Sequence, residues 1–392
     1  MKRKCVKLLM VVSLLLAGCK GFWNAPPATT TTTTTASSGN FYVMNVAKSQ
    51  IAGYYIKAGA LTALPGSPYV VPATPLSIAV APNGAFLYMG TSEGIYVYSI
   101  SSTGELTLGN SSAPISADQA ISMQVTPDNS WLIEIASGAP YVYAIGISTT
   151  TGVNTSRTEE YATLPASSVE QVAVAPSESY VFVAMGADGT AAIPFAGGST
   201  NPFGGVTRIP TVNSAGAAIS VAVDPIVSGQ TTSRLFYIGE TAALNSANSG
   251  ALRAFEFSTL GGSLTEISGS PFASQGLAPY SILPISTGDY VYVVNRQISG
   301  SSTGVIAGFT VASTTSNTYS LTALGSTFTA GTNPVALSED GTGSFVFAVD
   351  YGGSPDLLGY TFETTNAGYL QSTISASTGT DPVEAGGIAS VP

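Results

Sequence analysis

From Phe41 onward, apolar residues either alternate with polar ones or gather in short runs, and Gly, Pro, Asn and Ser bound each run. Alternation is the signature of a half-buried strand, whereas a helix repeats its apolar positions every three to four residues. No amphipathic helical stretch stands out, so the pattern predicts an all-β body. One run recurs. It reads "SIAVAP" ending at Pro82, "SMQVTP" at Pro127, "QVAVAP" at Pro176 and "SVAVDP" at Pro225, with weaker copies "SILPIS" at Ser286, "VALSE" at Glu339 and "IASVP" at Pro392. The spacings are 45, 49, 49, 61, 53 and 53 residues. That is the period of a four-stranded propeller blade.

One unit can be read strand by strand. "SIAVAP" is an inner strand, Asn83-Gly84 a hairpin signal, "AFLYMG" a second strand, "IYVYSI" a third and "ELTLGN" an outer edge strand. Second strands recur as "YVFVAMG", "LFYIGE", "YVYVVN" and "FVFAVD", and outer strands as "GALTAL", "GSLTEI" and "YSLTAL". The body opens on a second-type strand, "FYVMN" at Phe41, and closes on an inner-type strand, "GGIASVP". Neither end makes a blade, but together they make one, and pairing them buries edges that would invite aggregation. The expectation is a seven-bladed β-propeller of four-stranded blades over residues 40–392, closed by that clasp. Its rival is a six-bladed ring with a long insertion, which requires discounting "VALSE" or "SILPIS".

The phrases "GALTALPGSPYVVPATPLSIAVAPNGAFLY" and "GSLTEISGSPFASQGLAPYSILPISTGDYVYVVN" resemble the seven-bladed β-propeller lactonase family, which includes 6-phosphogluconolactonase-like and carboxymuconate-lactonizing members. The resemblance runs from Phe41 to Pro392. It implies the propeller fold and a lactone-directed activity, but the motifs frame blades and carry no chemistry themselves.

The stretch before the body has its own pattern. Lys2, Arg3, Lys4 and Lys7 precede an apolar run from Leu8 to Ala17 broken only by Ser13. A bilayer span needs about 20 apolar residues, so this reads as a secretory signal over residues 1–18. Leu16-Ala17-Gly18-Cys19 resembles the bacterial lipobox, which implies that Cys19 is lipidated and, since Lys20 and not Asp follows it, that the outer membrane is the expected destination. Residues 19–39 read as a tether: Pro26, Pro27 and the tract Thr29 to Thr35 have no apolar face to repay their ordering. Such a tract would also suit glycosylation.

Composition narrows the chemistry. Charged residues are 9% of the chain, against about a quarter in an ordinary domain. Without the four leader cations, eight Lys and Arg face 22 Asp and Glu, which excludes a basic nucleic-acid groove. The two cysteines, Cys5 and Cys19, both precede the body, so it has no disulfide and no thiol ligand. Histidine is absent from the chain. Ser-His-Asp and Cys-His arrangements are thereby excluded, as is the catalytic histidine expected of the lactonizing branch.

In a propeller the loops leading into the inner strands, and those joining second to third strands, gather at one face. Aligning the second strands places Asn45, Thr91, Ala136, Met185, Glu240, Asn295 and Asp350 at one tip position. The approaches to the inner strands supply Asp118, Gln119, Glu170, Gln171, Tyr280, Asn333 and Glu384, and Arg296 follows Asn295. From these, a polar ligand site is expected at the channel mouth, with Asn45, Asp118, Glu170, Glu240, Tyr280, Asn295, Arg296, Asn333, Asp350 and Glu384 as its candidates. The plain alternative is that such residues satisfy turn backbones. Glu240, Asn295 and Asp350 offer oxygen donors of the kind calcium accepts. The leading functional reading is a monomeric, lipid-tethered, noncatalytic module that binds a small molecule, glycan or protein and touches membrane only through its anchor. The alternatives are a lactonase-type hydrolase, metal-assisted or not, and a surface scaffold or adhesin.

Overall fold

The computed structural model describes residues 39–392, apart from 157–158, 228–232, 245–248, 259–261, 299–300, 314–317 and 377–380. The signal segment, Cys19 and the tether to residue 38 lie outside the described residues. Among the described residues no helix is long and apolar enough to cross a membrane.

Seven antiparallel sheets succeed one another, each built on four consecutive strands from the channel outward. Blade 1 is the clasp. Its inner strand is Ala385–Ser390, its second Asn40–Asn45, its third Gln50–Lys57 and its outer Ala60–Ala63. Phe41 pairs with Ser390, Tyr42 with Ala389 and Val43 with Ile388, so the two ends of the body share one sheet as expected. The inner strands of blades 2 to 7 are Pro75–Val80, Ala120–Val125, Gln171–Val174, Ala218–Val223, Pro279–Pro284 and Pro334–Glu339. Each is the predicted landmark run. The second strands follow at Phe86–Thr91, Trp131–Ala136, Tyr180–Ala184, Ser233–Glu240, Tyr290–Asn295 and Phe345–Asp350.

Second strands are buried on both faces, so they read as continuous apolar runs. Alternate residues pack against opposite neighbours: Leu87 and Met89 join the core shared with blade 1, while Phe86 and Tyr88 join that shared with blade 3. A repeated polar latch accompanies this packing. Tyr42 of blade 1 donates its hydroxyl to the Gly104 carbonyl of blade 2 at 2.8 Å, Tyr88 to Gly152 of blade 3 at 2.9 Å, and Tyr292 of blade 6 to Gly368 of blade 7 at 2.6 Å. Trp131 Nε1 does the same to Gly197 of blade 4 at 2.7 Å, and Tyr180 to Gly262 of blade 5 at 3.2 Å. The acceptor must be glycine at Gly152 for two reasons. Its φ is +70°, and a Cβ there would lie 2.6 Å from the Phe86 ring.

The phrase "GSP", common to both stretches that carry the family resemblance, forms a turn with a cis proline at Ser67-Pro68 and Ser270-Pro271. After each turn the chain returns to pair with the third strand of its own blade, through Tyr69–Val70 and Phe272–Ala273.

A candidate site at the mouth of the central channel

The inner strands surround a cavity of about 290 Å³ to which all seven blades contribute. Leu76, Ile78, Ile121, Ile219, Val335 and Leu337 give it an apolar wall. Polar side chains of one inner strand tie down the next. Ser122 Oγ accepts Val172 N–H at 3.1 Å, Gln171 Oε1 accepts Val221 N–H at 2.9 Å, and Ser281 Oγ accepts Leu337 N–H at 3.2 Å. Edge amides that would otherwise face the channel are thereby satisfied.

At the mouth where the inner strands begin, one backbone bond recurs. In every blade but the fourth, the residue just after the second strand donates N–H to the carbonyl just before the inner strand of its blade. The pairs are Ser92 to Thr74, Ser137 to Gln119, Thr241 to Ala217, Arg296 to Ala278 and Tyr351 to Asn333, with Val46 to Glu384 in the clasp. The side chains ringing the mouth in those six blades therefore belong to the residues one step beyond the aligned tips: Val46, Ser92, Ser137, Thr241, Arg296 and Tyr351.

The tip residues themselves turn inward. Asn45, Thr91, Glu240, Asn295 and Asp350 are all buried. Strand side chains alternate, so a shift of one residue exchanges the mouth for the blade interior. Glu240 Oε1 accepts from Arg253 at 2.7 Å and Oε2 from Val212 N–H at 3.0 Å, while the Arg253 guanidinium also grips Glu266 at 2.7 Å. Asn295 exchanges two 2.6 Å bonds with Ser274. Asp350 lies where a Cβ on Gly331 would be 1.9 Å from its Oδ2, so only glycine leaves it room. Glu240, Asn295 and Asp350 thus sit in three different blades, and two of them are already engaged. They do not form a shared donor set for calcium. Among the described residues no group of three or more His, Cys, Asp or Glu is placed to hold a metal ion.

The remaining candidates divide. Glu170 and Tyr280 line the cavity. The Arg296 guanidinium stacks over the Tyr280 ring, 5.0 Å from its centroid, and Tyr280 stays 39% exposed. The Tyr351 hydroxyl, on a ring 38% exposed, lies 3.4 Å from Glu384 Oε2. Burial and then the Glu384 carboxylate raise the Tyr351 pKa, and the Arg296 charge lowers it. Asn333 and Glu384 hold the same place before neighbouring inner strands, with φ of 51° and 53°. Non-glycine residues in this region carry strain, which a functional position can hold. Blades 6, 7 and 1 thus bring Tyr280, Arg296, Asn333, Tyr351 and Glu384 to one side of the mouth. Asp118 belongs elsewhere, between blades 2 and 3. Sequence reasoning missed Tyr351, and the signal that finds it is the alternation of the strand it follows.

Comparison with known proteins agrees with this fold. Residues 235–384 match the family described as lactonase, 7-bladed beta-propeller. The fold resembles the periplasmic gluconolactonase PpgL of Pseudomonas aeruginosa, with TM-score 0.63 and 16% identity over 90% of this chain and 99% of that one. It equally resembles a Bacteroides fragilis protein provisionally named a 6-phosphogluconolactonase, with TM-score 0.64 and 13% identity over 89% and 96% of the two chains. Hydrazine synthase of Kuenenia stuttgartiensis superposes with TM-score 0.60 and 15% identity over 85% and 95%. No curated protein matches the sequence. The chain is an all-β, seven-bladed propeller similar to the lactonase propellers, and likenesses at these identities speak for the fold alone.

Proposed function

We propose that the protein is a lactonase-type hydrolase acting at the channel mouth on an unphosphorylated lactone, a sugar lactone in the first instance. The observation that carries this reading is one of overlap. The stretch matched to the lactonase family, residues 235–384, contains Tyr280, Arg296, Asn333, Tyr351 and Glu384, the side chains gathered beside the cavity. The Arg296 guanidinium donates to the lactone carbonyl oxygen and stabilises the negative charge that develops there. Glu384, oriented by Tyr351, takes a proton from water. The water oxygen bonds to the acyl carbon, the ring C–O bond breaks, and the departing alkoxide takes the proton back from Glu384, leaving a hydroxy acid. A phosphorylated lactone fits less well, because Arg296 is the one cation of the mouth ring and a phosphate wants several.

The body, residues 39–392, can be assayed on gluconolactone with spontaneous hydrolysis subtracted. Arg296→Ala and Glu384→Gln should each lower kcat/KM by about 10²-fold, with the melting temperature unchanged. Turnover equal in wild type and both variants would overturn the assignment.

A second reading, a noncatalytic binder at the same mouth, is favoured by the absence of histidine. Under it, lactone or hydroxy acid raises the melting temperature without turnover. In either case we infer export and anchoring through Cys19, which rests on the leader sequence.

A further inference from the structure

Blade 3 carries a second constellation, away from the channel mouth. Register places Met123, Glu134, Tyr143 and Tyr161 in one row across the blade, from the channel to the outer edge. Side chains in such a row share a face, here the one turned to blade 2, where Leu132 and Ile145 pack against Phe86 and Ile95. Glu134 is fully buried in that face, and neither of its carboxylate oxygens has a partner. A buried carboxylate without a counter-charge is costly, and native proteins pair nearly all such groups.

What surrounds Glu134 is more acid and a group of rings. Burial first, and then Asp118, Glu134, Glu159 and Tyr141, raise the pKa of the Tyr143 hydroxyl, so all four lie within electrostatic reach of that side chain. None of the three carboxylates forms an ion pair among the described residues. Tyr141, Tyr143 and Tyr161 have ring centroids 5.3 to 6.1 Å apart, with planes inclined to one another by 49° to 82°. Rings at these separations pack against one another as one inclined cluster. Tyr161 is 59% exposed, so the group opens to solvent.

We propose that this tyrosine cluster, on the face of blade 3 turned to blade 2, binds an organic ammonium group against the exposed ring of Tyr161 and its neighbours Tyr141 and Tyr143, with Glu134, Asp118 and Glu159 as counter-charges. Aromatic faces attract cations, and the attraction strengthens when the site is shielded from water. A bound cation supplies Glu134 with a counter-charge that no described residue provides, and so favours its ionised form. A neutral sugar would use the rings but would bring no charge to the acidic group beside them. The proposal is independent of the lactone reading and concerns a different surface.

The test is calorimetric titration of the body, residues 39–392, with tetramethylammonium chloride, using sodium chloride as the ionic-strength control and glucose as the neutral ring-stacking control. Saturable binding of tetramethylammonium is expected. Tyr161→Ala, at an exposed position where the fold does not depend on the ring, should weaken it about tenfold or more. Glu134→Gln, which keeps the shape and cannot ionise when the cation arrives, should weaken it at least as much, and melting curves check that both variants fold. Failure of the wild type to saturate, equal affinity in wild type and Tyr161→Ala, or binding of glucose in place of the cation would each overturn the proposal.

Discussion

Glu134 and Asp350 lie fully buried with both carboxylate oxygens unpartnered. Burial first, and neighbouring carboxylates second, push each of them up to about 8. Between its unfolded value and about 8, each group holds a proton in the native state that the unfolded chain has released. The native state therefore binds more protons, and stability falls as pH rises through that window, by up to about 1.4 kcal/mol per pH unit for each group. Thermal melts at pH 5 and pH 8 should show the protein less stable at the higher value. Glu134→Gln and Asp350→Asn should each flatten that slope, and a slope unchanged in both variants would mean that neither group is protonated in the native state at neutral pH. Much of this residue-level picture was hidden from the sequence. The aligned second strands end where expected, but alignment along a strand does not say which face a side chain takes. Glu240 illustrates this: in sequence it is a free carboxylate near a turn, and in the fold it is held by Arg253 from the neighbouring third strand. Tyr280, Arg296, Asn333 and Glu384 were legible because they flank strands whose registers the repeats define.

At the level of elements, the repeats carried the architecture. Each landmark run is an inner strand, and the half-blades at the two ends imply the clasp that Phe41 to Val43 make with Ile388 to Ser390. Deleting Gly386 to Pro392 removes the inner strand of blade 1 and leaves Phe41 and Val43, both fully buried, beside an open edge. Gross loss of stability or aggregation is expected, well beyond the fraying of a free tail. A truncated protein that melts with the wild type would contradict the shared blade. The latches from Tyr42, Tyr88 and Tyr292 to the glycine carbonyls of the next blade were not legible, because donor and acceptor stand 62 to 76 residues apart. Periodic glycine by itself reads as a hairpin signal. The fold adds that the same glycine receives the neighbouring blade's aromatic ring.

For the molecule as a whole, the sequence adds a leader that the described residues do not reach. If Cys19 is the lipidation site, Cys19→Ala should release the protein from membranes or leave it as an uncut precursor, as fractionation and immunoblotting would show. Normal processing and sorting of that variant would refute the lipobox reading. The clasp then acquires a mechanical meaning. The strand Asn40–Asn45 lies between the inner strand Ala385–Ser390 and the third strand Gln50–Lys57, hydrogen-bonded to both, whereas the last strand has a single bonded neighbour. Tension applied at residue 39 is therefore resisted by two ladders loaded together along their length, while tension at Pro392 peels one strand from one edge. The end that leads to the proposed tether is the end better held against a pull.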